Sequence, residues 1–383
     1  MTAPQLEILD QPQPGLRLHR AGGTLMLHPL WLRERCRSVT SVDTRTGQRL
    51  YNPSDLDPAL AISGVRRTGP GSLSVLFSDG HESQFAEQDL LAEAAMAPGE
   101  DGLPALTPWD ARLSPFPETQ WQDRPGDALR FDIVEKFLRY GFVILHGVPQ
   151  RDQAIFEVAE SFGFVRDTNF GRLFNVRSVP DANDLAYSSL ALDPHTDNPY
   201  REPAPGIQLL HCLTNQTSGG LSTLVDGLAC VEALRAQDPA AYDLLCRIPS
   251  RFIFKDVDAE HVAWQPHVKL DEKGVFQAIH FSPRLDFSPL LPAHELQAFY
   301  DARRQLDQLL KAAQFEIRFR LDDGDLVMFD NRRLLHGRTS FDTQEGIRHL
   351  QGCYIDSDGP RSLYRVLKRP GVLQGVSQKL AAE

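Results

Sequence analysis

His195 and Asp197 stand either side of one threonine in Asp193-Pro194-His195-Thr196-Asp197-Asn198, and His195 alone among twelve histidines has a carboxylate two positions on. Successive side chains of an extended chain point to opposite faces, so this spacing sends the imidazole and the carboxylate out on one side. A second histidine, His336, comes far downstream in Phe329-Asp330-Asn331-Arg332-Arg333-Leu334-Leu335-His336, and Arg348 follows it. Two imidazoles and one carboxylate make a facial donor set that leaves coordination positions open. That is the arrangement of non-haem Fe(II) oxygenases.

Composition bounds what is built around those donors. The chain has 383 residues, enough for one large core and a smaller domain. Apolar residues make up 42% and charged residues 24%, ordinary proportions for a globular protein. The formal net charge is -11 with no offsetting basic tract, which argues against a nucleic-acid partner. No apolar run reaches the length of a membrane span, and no basic flank precedes an apolar stretch at the N-terminus, so no membrane association is expected. Cys36, Cys212, Cys230, Cys246 and Cys353 are scattered and odd in number, the pattern of reduced thiols in a cytoplasmic protein.

The elements that must carry the donors are legible in outline. Residues 1–95 read as a small β-rich domain, with apolar runs at 16–18 and 25–27 about Gly22-Gly23 as in a hairpin, and a strand at 72–77 ending at Asp79-Gly80. Proline and glycine dominate 96–126, which reads as an extended connector. Residues 127–383 are expected to form the catalytic domain. Helices are expected there over about 133–140, 153–162, 228–247 and 293–312. Strands are expected over about 142–145, 169–176, 206–212, 221–226, 315–321 and 326–329. Gly219-Gly220 turns the chain but is no phosphate loop, because no lysine follows at the required spacing. A fold that is mainly β with flanking helices, holding a donor pair early and its partner late, suits a double-stranded β-helix of the jelly-roll, cupin-like kind.

Several ordered segments carry a resemblance to a known family. They are Asn169-Phe170-Gly171, Leu185-Ala186-Tyr187, His195-Thr196-Asp197, Gly206-Ile207-Gln208-Leu209-Leu210-His211-Cys212, Val225-Asp226-Gly227, the stretch ending at His336, and Arg348-His349-Leu350-Gln351-Gly352-Cys353-Tyr354. In these the chain resembles the γ-butyrobetaine hydroxylase family of Fe(II)/2-oxoglutarate dioxygenases, related more distantly to taurine dioxygenase. The resemblance covers most of 131–367 and, more weakly, the N-terminal domain. It implies iron on His195, Asp197 and His336, with 2-oxoglutarate and O2 as cosubstrates and ascorbate in a supporting role. Arg348 would take the distal carboxylate of 2-oxoglutarate with its planar fork of donors. Ser222 falls where relatives place a hydroxyl on that carboxylate, and equally reads as a strand serine. Phe170, Phe174, Tyr187 and Tyr354 match positions that box a trimethylammonium group, which aromatic faces attract because it cannot donate hydrogen bonds. Phe170 and Phe174 also read as barrel core. Asn198 is a further candidate for the substrate pocket, and relatives are commonly homodimers.

The departures from the family matter as much. Relatives bind zinc in the N-terminal domain through three cysteines and a histidine. Here Cys36 and His81 stand in register with Ser38 and Ser41 in the other places, so no structural zinc is expected. The asparagines that meet the substrate carboxylate in some relatives are absent, with Asp184 and Ser282-Pro283-Arg284 near their positions. Arg284 reads either as a contact for an anion more highly charged than a carboxylate or as a loop arginine. The expected substrate is therefore a small trimethylammonium zwitterion, either γ-butyrobetaine, giving carnitine, or 2-(trimethylammonio)ethylphosphonate. Trimethyllysine is a third candidate, whose α-amino group only Asp184 would meet. Asp197 speaks against a halogenase, since a halide would need its place. From a different class, a non-catalytic zwitterion-binding protein on the same scaffold is the alternative.

Overall fold

The computed structural model describes residues 4–10, 13–20, 23–95, 102–177 and 189–369. They belong to two compact units, Met1–Asp101 and Gly102–Glu383. In the first unit, β1 (Gln5–Leu9), β2 (Gly15–Arg20) and β3 (Gly23–Met26) form an antiparallel meander. After α1 (Pro29–Arg33), a second sheet runs through β4 (Ile62–Gly69), β5 (Ser72–Phe77) and β6 (Glu82–Ala86), and α2 (Glu87–Ala95) follows. Alternate residues of these strands, among them Leu16, Leu18, Leu73, Val75 and Phe77, share one buried core. Beside it, Cys36 Sγ lies 3.2 Å from His81 Nε2 and 3.3 Å from Ser38 Oγ, and Ser38 Oγ is 3.0 Å from Ser41 Oγ. Burial would raise the Cys36 thiol, but hydrogen bonds from Ser38, Ser83 and His81 outweigh it and bring it down to about 6.

In the second unit two sheets enclose a core. The larger has six strands, in the order β7 (Glu118–Gln120), β8 (Phe142–His146), β19 (Leu326–Asp330), β11 (Ile207–Asn215), β21 (Arg348–Ile355) and β9 (Phe174–Arg177). The smaller has four, in the order β10 (Leu192–His195), β20 (Leu334–Arg338), β12 (Ser222–Asp226) and β18 (Glu316–Phe319). Strand alternation builds the layers. Phe142 and Ile144 of β8 with Val327 and Phe329 of β19 meet Leu224, Ile317 and Leu334 of the smaller sheet. Their neighbours Val143, Leu145, Leu326 and Met328 point the other way, against α3 (Asp127–Tyr140) and α4 (Ala154–Glu160). On the outer side of the smaller sheet, Val225 and Leu335 pack under α5 (Gly227–Gln237), α6 (Pro239–Arg247) and α7 (Ala293–Leu310). Between α6 and α7 lie β13 (Pro249–Lys255), β14 (Glu260–Pro266), β15 (Val268–Leu270), β16 (Phe276–Ile279) and β17 (Asp286–Phe287). The last element among the described residues is α8 (Asp358–Leu367). This is a mainly β jelly roll with helices on its outer faces.

Two element assignments change. The helix expected over 228–247 is two helices, because Asp238 caps Ala241 N and Pro239 opens a new first turn. The aromatic strand expected over 169–176 narrows to β9, with Thr168 and Gly171 closing a tight turn before it. The hairpin β13–β14 is an addition. Residues 102–126 belong to the second unit, where Trp109 is buried and Glu118–Gln120 pairs in parallel with β8.

Candidate active site

Strands β10 and β20 lie antiparallel with His195 directly opposite His336, and the two imidazole centroids are 4.4 Å apart. Asp197 follows as β10 ends, with Oδ1 3.5 Å from His195 Nε2 and Oδ2 3.8 Å from His336 Nε2. One donor atom from each of the three lies within 4.8 Å of the others, and this is the sole such cluster among the described residues. His195 Nδ1 donates to the Asp193 carbonyl at 2.9 Å, which fixes the ring with Nε2 facing the carboxylate. Burial pushes the His336 imidazole down to about 4. Burial alone would raise the Asp197 carboxyl. The facing imidazoles of His336 and His195 and a 2.7 Å hydrogen bond from the Tyr354 hydroxyl outweigh it and hold the group below the usual carboxylate range.

The segment carrying His195 and Asp197 is fastened on both sides. Asn331 accepts from Asp197 N at 2.7 Å and donates to Asp197 O and Pro205 O, each at 3.0 Å. Thr196 N donates to Phe281 O at 2.8 Å, and Phe281 N donates back to Thr196 Oγ1 at 3.0 Å. Every residue from 195 to 197 is thus fixed by a partner distant in sequence.

A cavity of about 420 Å³ opens over the three donors. Arg348, the first residue of β21, lines it and is 6% exposed. No carboxylate lies within ion-pair distance of it among the described residues, and its Nε has no hydrogen-bond partner. Burial and Arg320 both act to lower its pKa. The nearby Cys212 thiol, pushed up to about 12 by burial, stays neutral and supplies no counter-charge. A buried guanidinium without a counter-ion demands an anion from the ligand. Ser222 lines the same cavity, and Gly220, in the left-handed region at φ +67, leaves room that a side chain would take from Arg348. A Cβ there would sit 2.8 Å from Arg348 Nε.

Phe170, Phe174 and Tyr354 come together on another wall, with Phe174 and Tyr354 centroids 5.3 Å apart. Asn198 and Arg284 also line the cavity. Tyr187 and Asp184 lie outside the described residues. Two aromatic walls escaped the sequence reading. Phe254 on β13 stands 5.8 Å from Phe170 and stacks on Tyr200 at 5.0 Å. Tyr200 could have been suspected from its closeness to Asp197, whereas Phe254 carries no local signal. Arg338 is a further missed residue, buried in the cavity wall with its guanidinium carbon 5.2 Å over the Phe341 ring.

The geometry agrees with what known proteins show. The family described as "Taurine catabolism dioxygenase TauD, TfdA family" matches residues 104–354, most of the chain. The chain belongs to this dioxygenase family. The dioxygenase also matches "Gamma-butyrobetaine hydroxylase-like, N-terminal" over residues 16–91. It is 36% identical over 346 residues to a gamma-butyrobetaine dioxygenase of Pseudomonas sp. (strain AK-1), covering 89% of this chain and 90% of that protein. It is 26% identical to the mitochondrial trimethyllysine dioxygenase of Rattus norvegicus, covering 93% and 86%. Among solved structures, AAD-2 in complex with Mn(II) and N-oxalylglycine shares the fold at a TM-score of 0.52 and 16% identity, covering 65% of this chain and 98% of that one. An asparagine oxygenase does so at 0.51 and 20%, covering 61% and 80%. The dioxygenase is therefore an iron enzyme with 2-oxoglutarate as cosubstrate. Its two imidazoles and one carboxylate fit Fe(II), and its unpaired Arg348 fits a dicarboxylate.

Proposed function

We propose that the enzyme hydroxylates a small zwitterion with a trimethylammonium head and an anionic tail. The support is the convergence of three donors, an unpaired buried arginine and several aromatic faces on one cavity. His195, Asp197 and His336 hold the metal. Arg348 receives the distal carboxylate of 2-oxoglutarate, with Ser222 beside it. Iron with 2-oxoglutarate supplies the oxidising chemistry: O2 is consumed, the cosubstrate becomes succinate and CO2, and a C–H bond becomes C–OH. The tautomer set at His195 and the Tyr354 hydroxyl on Asp197 keep the donors oriented toward one point. Phe170, Phe174 and Tyr354 attract the cationic head by about 0.5–2 kcal/mol per face and fix which carbon meets the metal. The second unit, from Gly102 on, carries this chemistry, with the first as an appended domain. The enzyme works as a cytoplasmic homodimer on this reading, which light scattering of the purified protein tests for assembly.

The identity to gamma-butyrobetaine dioxygenase favours a carboxylate tail. Arg284 on the cavity wall favours the phosphonate counterpart. Succinate release from iron-loaded enzyme with 2-oxoglutarate and oxygen separates them, with trimethyllysine as a third arm. We expect stimulation by one zwitterion, and His195→Ala should abolish it. Succinate release that no trimethylammonium compound stimulates would overturn the assignment.

A further inference from the structure

Two arginines share one aromatic ring behind the cavity wall. Arg338 and Arg348 both line the cavity, and each is 6% exposed. Their guanidinium carbons lie 5.2 and 5.6 Å from the centroid of the Phe341 ring, which does not itself line the cavity. The two cations are close enough that the charge of Arg348 opposes that of Arg338. Burial withdraws the water that would solvate and screen such a pair. Arg338 directs Nε and Nη2 to the Leu190 carbonyl at 3.4 and 3.2 Å. The Nε of Arg348 has no acceptor among the described residues. An aromatic face is the negative side of the ring quadrupole, so Phe341 gives Arg348 an attraction that no protein carboxylate supplies.

Backbone hydrogen bonds fix where that ring stands. Beyond β20 the chain runs beside residues 219–221. Thr339 N donates to Leu221 O at 3.0 Å, Leu221 N to Thr339 Oγ1 at 2.9 Å, and Gly220 N to Ser340 O at 3.0 Å. Phe341 N donates to Ser189 O at 3.2 Å. The approach requires glycine, since a Cβ at Gly219 would sit 2.5 Å from Ser340 O and 3.0 Å from Phe341 Cα. A Cβ at Gly220 would crowd Arg348 Nε and lie 3.4 Å from Phe341 Cδ1. The Arg348 side chain therefore has the Gly220 backbone against it and the Phe341 ring beside it. An arginine has many rotamers, and holding its fork still before a ligand arrives lowers the ordering cost of binding.

We infer that Phe341 is a positioning residue for the cosubstrate: its ring face holds the Arg348 guanidinium, beside that of Arg338, ready for a distal carboxylate. The ring thereby sets the preference for 2-oxo dicarboxylates over 2-oxo monocarboxylates. This rests on the assignment of Arg348 to the distal carboxylate and adds the residue that keeps its fork in place. The 2-oxo acid end is common to both classes and does not sense the ring.

The test is anaerobic binding to the Fe(II)-loaded enzyme, followed calorimetrically. The probes are 2-oxoglutarate and 2-oxopentanoate, the same five-carbon acid without the distal carboxylate. Phe341→Leu keeps an apolar side chain and removes the ring face. It should raise Kd for 2-oxoglutarate ~10-fold, the scale of one desolvated cation–π contact, and leave Kd for 2-oxopentanoate unchanged. Phe341→Tyr keeps the face and should bind both acids as the wild type does. Both acids are measured on one sample, so partial unfolding lowers the number of sites for each without moving the ratio of their Kd values. Phe341→Met serves the same comparison if Phe341→Leu is not recovered folded. Equal loss for both acids, no loss at all, or a Phe341→Tyr variant as impaired as Phe341→Leu would overturn the inference. Arg348→Gln tests the assignment beneath it. If that variant prefers 2-oxoglutarate as strongly as the wild type, both fall; if it loses the preference while Phe341→Leu keeps it, only the inference falls.

Discussion

Asp197 illustrates how neighbouring side chains orient a metal-binding carboxylate. Its side chain takes one hydrogen bond from Tyr354, and its backbone is gripped at N and O by Asn331. Asn331 offers no donor to the metal, yet it sets where the carboxylate starts. Asn331→Ala should weaken iron binding ~10–100-fold, the usual scale for losing an outer partner of a ligand. An anaerobic Fe(II) titration in the presence of 2-oxoglutarate reads this, and unchanged affinity would leave Asn331 a purely structural residue. The triad was legible in the sequence because histidine, carboxylate and distant histidine are chemically distinctive types in a distinctive order. Phe254 was not, since a phenylalanine on a strand looks the same whether it faces a core or a cavity. Only the fold that brings β13 against Phe170 and Tyr200 tells them apart.

Just before β20 begins, Arg333 makes an ion pair with Asp226 of β12 that is buried on both sides. Arg333 gives Nε and Nη2 to Asp226 at 3.0 and 2.7 Å and donates to the carbonyls of Arg139 and Thr107. Asp226 also accepts from Leu228 N, capping α5, and from Trp109 N. Every group in the knot is satisfied, so removing one partner strands the other charge. Arg333→Leu should destabilise the enzyme by about 3–5 kcal/mol, read as a lower denaturant midpoint. The elements around this knot were partly readable. Short apolar runs bounded by turn residues marked β8 and β19, whose two faces enter different cores. The break between α5 and α6 was missed although Asp238-Pro239 spelled a cap and a first turn, because apolar spacing continues across it.

The molecule buries histidines as well as hydrocarbons. Burial pushes His211 to about 4, His267 to about 3 and His280 to about 4, against about 6.5 for an exposed imidazole. All three are neutral when folded, so below pH 6.5 the unfolded chain binds more protons than the native one. Stability is full above pH 6.5 and falls as the pH drops toward 4. His211→Leu should spare about 2 kcal/mol of the loss between pH 7 and pH 5, since 1.5 pH units of unfolded-state protonation disappear. Denaturant midpoints at the two pH values check it, and an unchanged slope would exonerate His211. A different vulnerability follows from β10, a four-residue edge strand registered on β20 at Leu192 and His195 alone. A metal held by His195, Asp197 and His336 pins that edge to the neighbouring strand, and binding only the folded state stabilises it by mass action. Limited proteolysis should therefore nick chelator-treated protein near residues 192–198 and spare the iron-loaded form. Iron scarcity would then shorten the lifetime of the polypeptide as well as silence it, making the metal supply a determinant of how much enzyme a cell keeps.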